Sequence, residues 1–179
     1  GAAVADAMTG GRLGRDGVFQ LCARLEGHPD NVAPAVYGGF TVSAREGAGF
    51  VTRSLALPGH WRFLFAVPAT ELPTVQARKV VPDTYSRDDL IMTAARTALW
   101  TMAVATADAA LLSSACRDVV HQPYREPLLP GFRTALEAAA AAGASGAFLS
   151  GAGPTLAAIA TEGDVAAVSA ALAPYGQVI

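Results

Sequence analysis

Glu26-Gly27-His28-Pro29-Asp30-Asn31 places two carboxylates, an imidazole and a carboxamide within six residues. Gly27 and Pro29 punctuate the stretch as a turn. Its chemistry allows two readings. Glu26 can offer a hard cation an oxygen ligand while His28 and Asn31 orient a polar ligand. Alternatively, this is a capped turn in which Asp30 or Asn31 N-caps the segment that follows. The residue types leave both open. Upstream, Arg15 to Leu25 predicts a helix with Val18, Leu21, Cys22 and Leu25 on its apolar face, spaced i, i+3, i+4, i+7. Before it, Gly1 to Met8 reads as the end of a helix closed by Thr9-Gly10-Gly11. Downstream, Val32 to Val36 predicts a short helix stopped by Gly38-Gly39. Phe40 to Arg45 and Phe50 to Leu55 then predict a β-hairpin around Glu46-Gly47-Ala48-Gly49.

Pro58-Gly59 marks a boundary. Trp61 to Val67 predicts a buried strand, and Thr74 to Val81 a short helix ended by Pro82. Arg87 to Ala115 carries a long helical pattern with a single break. Within it Ala98 to Ala115 is the most apolar run; Asp108 and several Ser and Thr residues make it too polar to span a membrane, so it reads as a buried helix. Pro123, Pro127 and Pro130-Gly131 predict a stiff connector before an Ala-rich helix from Phe132 to Ala142 with Gly143 at its end. Ala147 to Ser150 and Thr155 to Thr161 read as strands joined across Gly151-Ala152-Gly153-Pro154. Asp164 is expected to cap a helix to Leu172, and Gln177 to begin a last strand. Strands and helices in segregated blocks make the fold class α+β.

Of the 179 residues, 52% are hydrophobic and 16% charged, a composition that buries a core and argues against disorder. A formal charge of −2 carries no basic footprint for nucleic acid. Cys22 and Cys116 lie far apart without CxxC spacing, so neither a disulfide framework nor a zinc site is expected, and a reducing cytoplasm is the default. Lys79 is the only lysine, which reads as genome composition bias.

Three segments carry a resemblance. Glu26 to Ala35, followed by Tyr37-Gly38-Gly39-Phe40, resembles the signature of the homoserine kinase family, one branch of the group of kinases for galactose, homoserine, mevalonate and phosphomevalonate (GHMP kinases). Asp118 to Arg125, then Leu128-Leu129-Pro130-Gly131-Phe132, is similar to a second family segment. Ser150-Gly151-Ala152-Gly153-Pro154-Thr155 looks like the third motif of the group; alone it would be a tight turn whose small residues let backbone N–H groups approach an anion.

The resemblance implies ATP-dependent phosphorylation of the side-chain hydroxyl of L-homoserine, on the route to threonine. It implies residues 1–57 as the end of a ribosomal protein S5 domain 2-like N-terminal domain and 58–179 as a ferredoxin-like C-terminal domain, with the active site between them. Glu26 and Asn31 would be the catalytic residues, with Glu26 the Mg2+ ligand. His28 and Asn31 would line the homoserine site. Asn31 stands where the mevalonate branch has an aspartate taken as the base; an amide cannot remove a proton, so catalysis would rest on positioning and charge neutralisation. Thr74 and Arg78, four apart on one helix face, would meet the substrate, and Arg125 would be the second contact to its carboxylate, which a guanidinium grips bidentately. Without the resemblance each arginine is a solvated surface charge. Ser150, Gly151 and Gly153 would lie near the transferred phosphate. The implied partners are small molecules, with no nucleic acid and no membrane, and a homodimer is left open. Two alternatives stand: a GHMP kinase for another hydroxyl substrate such as mevalonate, or a non-catalytic relative that keeps the fold.

The family's ATP-binding element, Pro-x-x-x-Gly-Leu-Gly-Ser-Ser-Ala at the start of a helix, does not occur in this sequence, and Gly1 to Met8 resembles the helix that follows it. The chain therefore reads as a fragment. Assayed alone against a full-length relative, it is expected to turn over little ATP with homoserine; near-equal turnover would show that the loop is dispensable.

Overall fold

In the computed structural model, which describes all 179 residues, glycine and proline set many of the element boundaries. The chain divides into two units, Gly1–Leu57 and Pro58–Ile179.

The first unit holds helices α1 (Ala2–Met8), α2 (Gly14–Glu26) and α3 (Val32–Tyr37), then the antiparallel hairpin β1 (Phe40–Glu46) and β2 (Gly49–Leu55). Gly27 ends α2 at φ +85°, in the left-handed region that glycine enters at little cost. The buried face of α2 differs from the expected one. Val18, Phe19 and Ala23 are buried, whereas Leu21 is 37% and Leu25 80% exposed. Phe19 carries more apolar area than either leucine, and the helix turns to bury it against Ala33 of α3 and Phe50 of β2. Its ring meets Tyr37 and Phe50 edge-on at 5.3 and 6.4 Å. Gln20 imitates a neighbouring strand: its amide donates to Phe50 O at 2.6 Å and accepts from Phe50 N at 3.1 Å.

The second unit contains β3 (Trp61–Val67), α4 (Thr74–Lys79), α5 (Arg87–Thr106), α6 (Leu112–Ala115), α7 (Gln122–Arg125), α8 (Phe132–Ala141), β4 (Gly146–Leu149), β5 (Leu156–Thr161), α9 (Val165–Leu172) and β6 (Gln177–Val178). Its sheet has the order β4-β5-β3-β6, every pair antiparallel. Numbered within the unit, this is the split βαβ order of a ferredoxin-like sheet, as expected. Leu64, Ala66, Leu156, Ala158 and Ala160 share a core with Phe132, Ala135 and Ala139 of α8 and Val168 and Leu172 of α9. From α5, Trp100 meets Phe148 edge-on at 5.5 Å. Residues Leu156 to Ala160 of β5 are all buried, and their alanines suit a central strand covered on both faces.

Four local expectations are corrected. The apolar run Ala98 to Ala115 is not a buried helix. Helix α5 ends at Thr106 and buries only Ala103 and Val104, while Met102 is 51% exposed. Ala107 turns left-handed at φ 55°, and Asp108 accepts Ala110 N at 3.0 Å to start a 3-10 turn. The proline-rich connector is itself helical: α7 and a 3-10 turn at Glu126–Leu128 seat their prolines in a first turn, where a missing N–H costs no helical bond. Asp164 precedes α9 without a side-chain cap: its backbone lies in the αR region (φ −99°, ψ −10°) instead of the extended region a capping residue adopts, and Thr161 Oγ1 donates to its carboxylate at 2.7 Å. Neither Asp30 nor Asn31 caps α3 with its side chain.

No helix is long and apolar enough to cross a membrane. Leu172→Ala is expected to destabilise the second unit by about 2–5 kcal/mol, because alanine keeps the helix and removes only buried methyl groups. Urea unfolding of both proteins measures it.

Candidate active site

In the first unit, the expected residues Glu26, His28 and Asn31 share the turn between α2 and α3. Glu26 is the last residue of α2, exposed and without an ion-pair partner. The negative end of the helix dipole adds to its attraction for a cation. The His28 imidazole Nδ1 is bonded to Asp30 Oδ1, and the same oxygen accepts Asn31 N at 3.1 Å. Asp30 thus braces the turn from inside. Arg45 of β1 braces it from outside: it donates to Gly27 O at 3.0 Å, and its guanidinium lies 4.9 Å from the Phe50 ring centroid. Sequence reasoning missed Arg45, because nothing in an exposed arginine on a hairpin announces its target. On the first turn of α2, Asp16 accepts Tyr37 Oη–H at 2.6 Å; burial, then this bond, push the Tyr37 phenol up to about 12.

In the second unit, α4 begins at Thr74, which puts Thr74 and Arg78 one turn apart on an exposed face. Arg125 ends α7 and is 8% exposed, the one buried charged residue of the chain. Its Nε donates to Ala77 O at 3.2 Å and its Nη1 to Gly151 O at 3.0 Å. Ala77 belongs to the last turn of α4, where carbonyls lack helical partners and the dipole favours a cation. Nη2 donates to no protein group. Burial pulls the Arg125 pKa down, the Asp118 charge holds it up, and the nearby Arg78 charge pulls it down again. The structure therefore brings the Ala77 and Gly151 carbonyls onto the Arg125 guanidinium, with the Arg78 charge nearby.

The turn between β4 and β5 is held from several sides. Ser150 N donates to Thr155 O at 2.9 Å and Gly153 N to Ser150 O at 3.0 Å. Gly153 has φ +88°, and a Cβ there would come within 2.9 Å of Leu149 Cδ1. Tyr175 Oη–H donates to Pro154 O at 2.7 Å, and Gln122 Oε1 accepts Leu149 N. The N–H groups of Gly151 and Ala152 meet no protein acceptor, which suits an anion. Tyr175 and Gln122 lie far from this turn in sequence, and no local pattern marked them.

No group of three or more His, Cys, Asp or Glu side chains gathers to hold a metal. The lone carboxylate of Glu26 fits the mode of Mg2+, which keeps several waters and uses one or two carboxylates with substrate phosphates.

Residues 102–177 match the family model for the GHMP kinases C terminal. The chain is 49% identical over 175 residues to the homoserine kinase of Thermus thermophilus, covering 98% of this chain and 59% of that protein. The homoserine kinase of a Nostoc species is 40% identical, with 97% of this chain and 58% of that one covered. The crystal structure of homoserine kinase from Cytophaga hutchinsonii matches with a TM-score of 0.87 at 23% identity, over 98% of this chain and 60% of that one. The crystal structure of L. major mevalonate kinase matches with a TM-score of 0.59 at 16% identity, over 92% of this chain and 56% of that one. The chain thus spans less than two thirds of the length of these relatives.

The chain belongs to the GHMP kinase family. Within it, the chain is homologous to the homoserine kinases.

Arg125→Ala is expected to cost the second unit about 1–3 kcal/mol, because it leaves the Ala77 carbonyl without a donor. Arg125→Lys should recover part of that, since a point donor cannot serve both carbonyls with the same planar fork. Denaturant titration of the two variants measures both effects.

Proposed function

We propose that the protein carrying this chain transfers the γ-phosphoryl group of ATP to the side-chain hydroxyl of L-homoserine, giving O-phospho-L-homoserine for threonine synthesis. One observation supports this reading above all. In a chain 49% identical to a homoserine kinase, a buried Arg125 leaves one arm unbonded beside Arg78. The Arg78 charge acts against that of Arg125, and a carboxylate is the planar, bidentate anion that a guanidinium fits.

On this reading Gly1–Leu57 is the end of the S5-like domain and Pro58–Ile179 the C-terminal domain. Arg78 and Arg125 hold the carboxylate, Thr74 adds a hydroxyl contact, and His28 and Asn31 orient the polar end of the amino acid. Ser150, Gly151 and Gly153 shape a turn whose free N–H groups face the phosphate. Glu26 offers its carboxylate to Mg2+, whose charge offsets that of the β- and γ-phosphates. Asn31 cannot take a proton, so the acceleration comes from aiming the hydroxyl and from charge neutralisation. Two free cysteines, Cys22 and Cys116, are in keeping with a reducing cytoplasm. Asn31, an amide where the mevalonate branch has an aspartate, weighs against mevalonate as the substrate.

Arg78→Ala in the protein expressed from its complete gene is expected to raise the KM for homoserine about 10- to 100-fold, the loss of one charge-assisted contact, and to change the KM for ATP little. Steady-state kinetics varying each substrate in turn checks it, and equal effects on both would argue against the clamp.

A further inference from the structure

Asp118 has no role in the reading above, yet its carboxylate is the most heavily used acceptor near Arg125. Oδ1 accepts Val120 N at 2.8 Å, while Oδ2 accepts His121 N at 2.8 Å and Gln122 N at 2.6 Å. These are the donors at the entry to α7, the single turn that ends on Arg125. A helix so short cannot hold itself, because one turn fixes several residues for very few bonds. Its own ladder amounts to Arg125 N to His121 O at 3.1 Å and Glu126 N to Gln122 O. Everything else that fixes α7 comes from outside. Asp118 supplies three bonds, Tyr85 Oη–H donates to Val120 O at 2.9 Å, and the Gln122 amide takes Leu149 N. Asp118 alone among these carries a charge, and that charge opposes the effect of burial on the guanidinium.

We infer that Asp118 is a positioning residue for amino-acid recognition: it pins α7 by three backbone N–H groups so that Arg125 presents its unbonded Nη2 to the substrate carboxylate. This rests on the proposal that Arg78 and Arg125 form the carboxylate clamp. Asp118 does not touch substrate. It acts by denying Arg125 any other orientation and by supplying the counter-charge that keeps the side chain buried while the site is empty. Gln122 and Tyr85 serve the same turn, and Gln122 further fastens it to β4, next to the glycine turn.

The test compares phosphorylation of L-homoserine with that of L-homoserinamide, whose neutral carboxamide replaces the carboxylate. It uses the protein expressed from its complete gene and the variants Asp118→Ala and Asp118→Asn. The wild-type protein is expected to favour homoserine strongly in kcat/KM. Asp118→Ala should cut that preference at least about tenfold by raising the KM for homoserine, with kcat/KM for the amide and the KM for ATP within about twofold. Asp118→Asn keeps one acceptor oxygen and the shape of the side chain. It should fall between the two, and it covers the case in which the alanine variant fails to fold. Equal losses on both substrates would make Asp118 a structural cap only and overturn the inference. No preference for homoserine in the wild-type protein would overturn the clamp itself, and this inference with it.

Discussion

A buried guanidinium is expensive to desolvate, and the second unit is arranged around making that burial tolerable. Arg125 gives two N–H donors to carbonyls that need them, one in the last turn of α4 and one in the β4–β5 turn. Both acceptors carry the partial negative charge of oriented backbone, so the cation is solvated by fixed dipoles instead of water. Because those dipoles do not relax, the remaining arm keeps its direction. The charge of Arg78 nearby works against this state, and Asp118 works for it. An anion bound at the remaining arm would add a further counter-charge.

The sheet makes that arrangement possible. Strand β5 is buried along its length and is built of alanines, leucine and isoleucine. Small residues let α8 and α9 pack closely over β3 and β5, with Ala158 and Ala160 beside Val168 and Leu172 in the same core. A rigid central strand gives the glycine turn at its start a fixed base. The turn is then tied to distant parts of the same unit by Tyr175, Gln122 and Arg125. Backbone flexibility in a glycine-rich loop is thereby confined to the two N–H groups that have no protein acceptor.

The first unit follows a different logic. Its polar turn is braced by Asp30 and Arg45, and the core beneath it is a small aromatic set of Phe19, Phe50 and Tyr37. The bracing consumes Asp30 and leaves the Glu26 carboxylate exposed at a helix C-terminus. This division of labour within one hexapeptide separates Asp30, which shapes the turn, from Glu26, whose carboxylate stays exposed.

Much of this was readable from the chain. Local patterns located the hairpin, strand β3 and the helices α4 and α8 to within a residue or two. They depend on alternation, helical spacing and glycine or proline stops, all of which act over a few residues. The motif from Glu26 to Phe40 and the turn at Ser150–Thr155 announced the family for the same reason. The face that α2 buries, the exposure of α5 and the uncapped start of α9 were decided elsewhere: by the bulk of Phe19, by how little of α5 the sheet covers, and by the αR backbone of Asp164. The contact between Arg125, Ala77 and Gly151 belongs to this second class. Sequence could name an arginine able to hold a carboxylate. Only the folded chain brings a helix end and a turn within hydrogen-bond reach of it, because the partners are backbone carbonyls, which every residue has and no sequence pattern distinguishes.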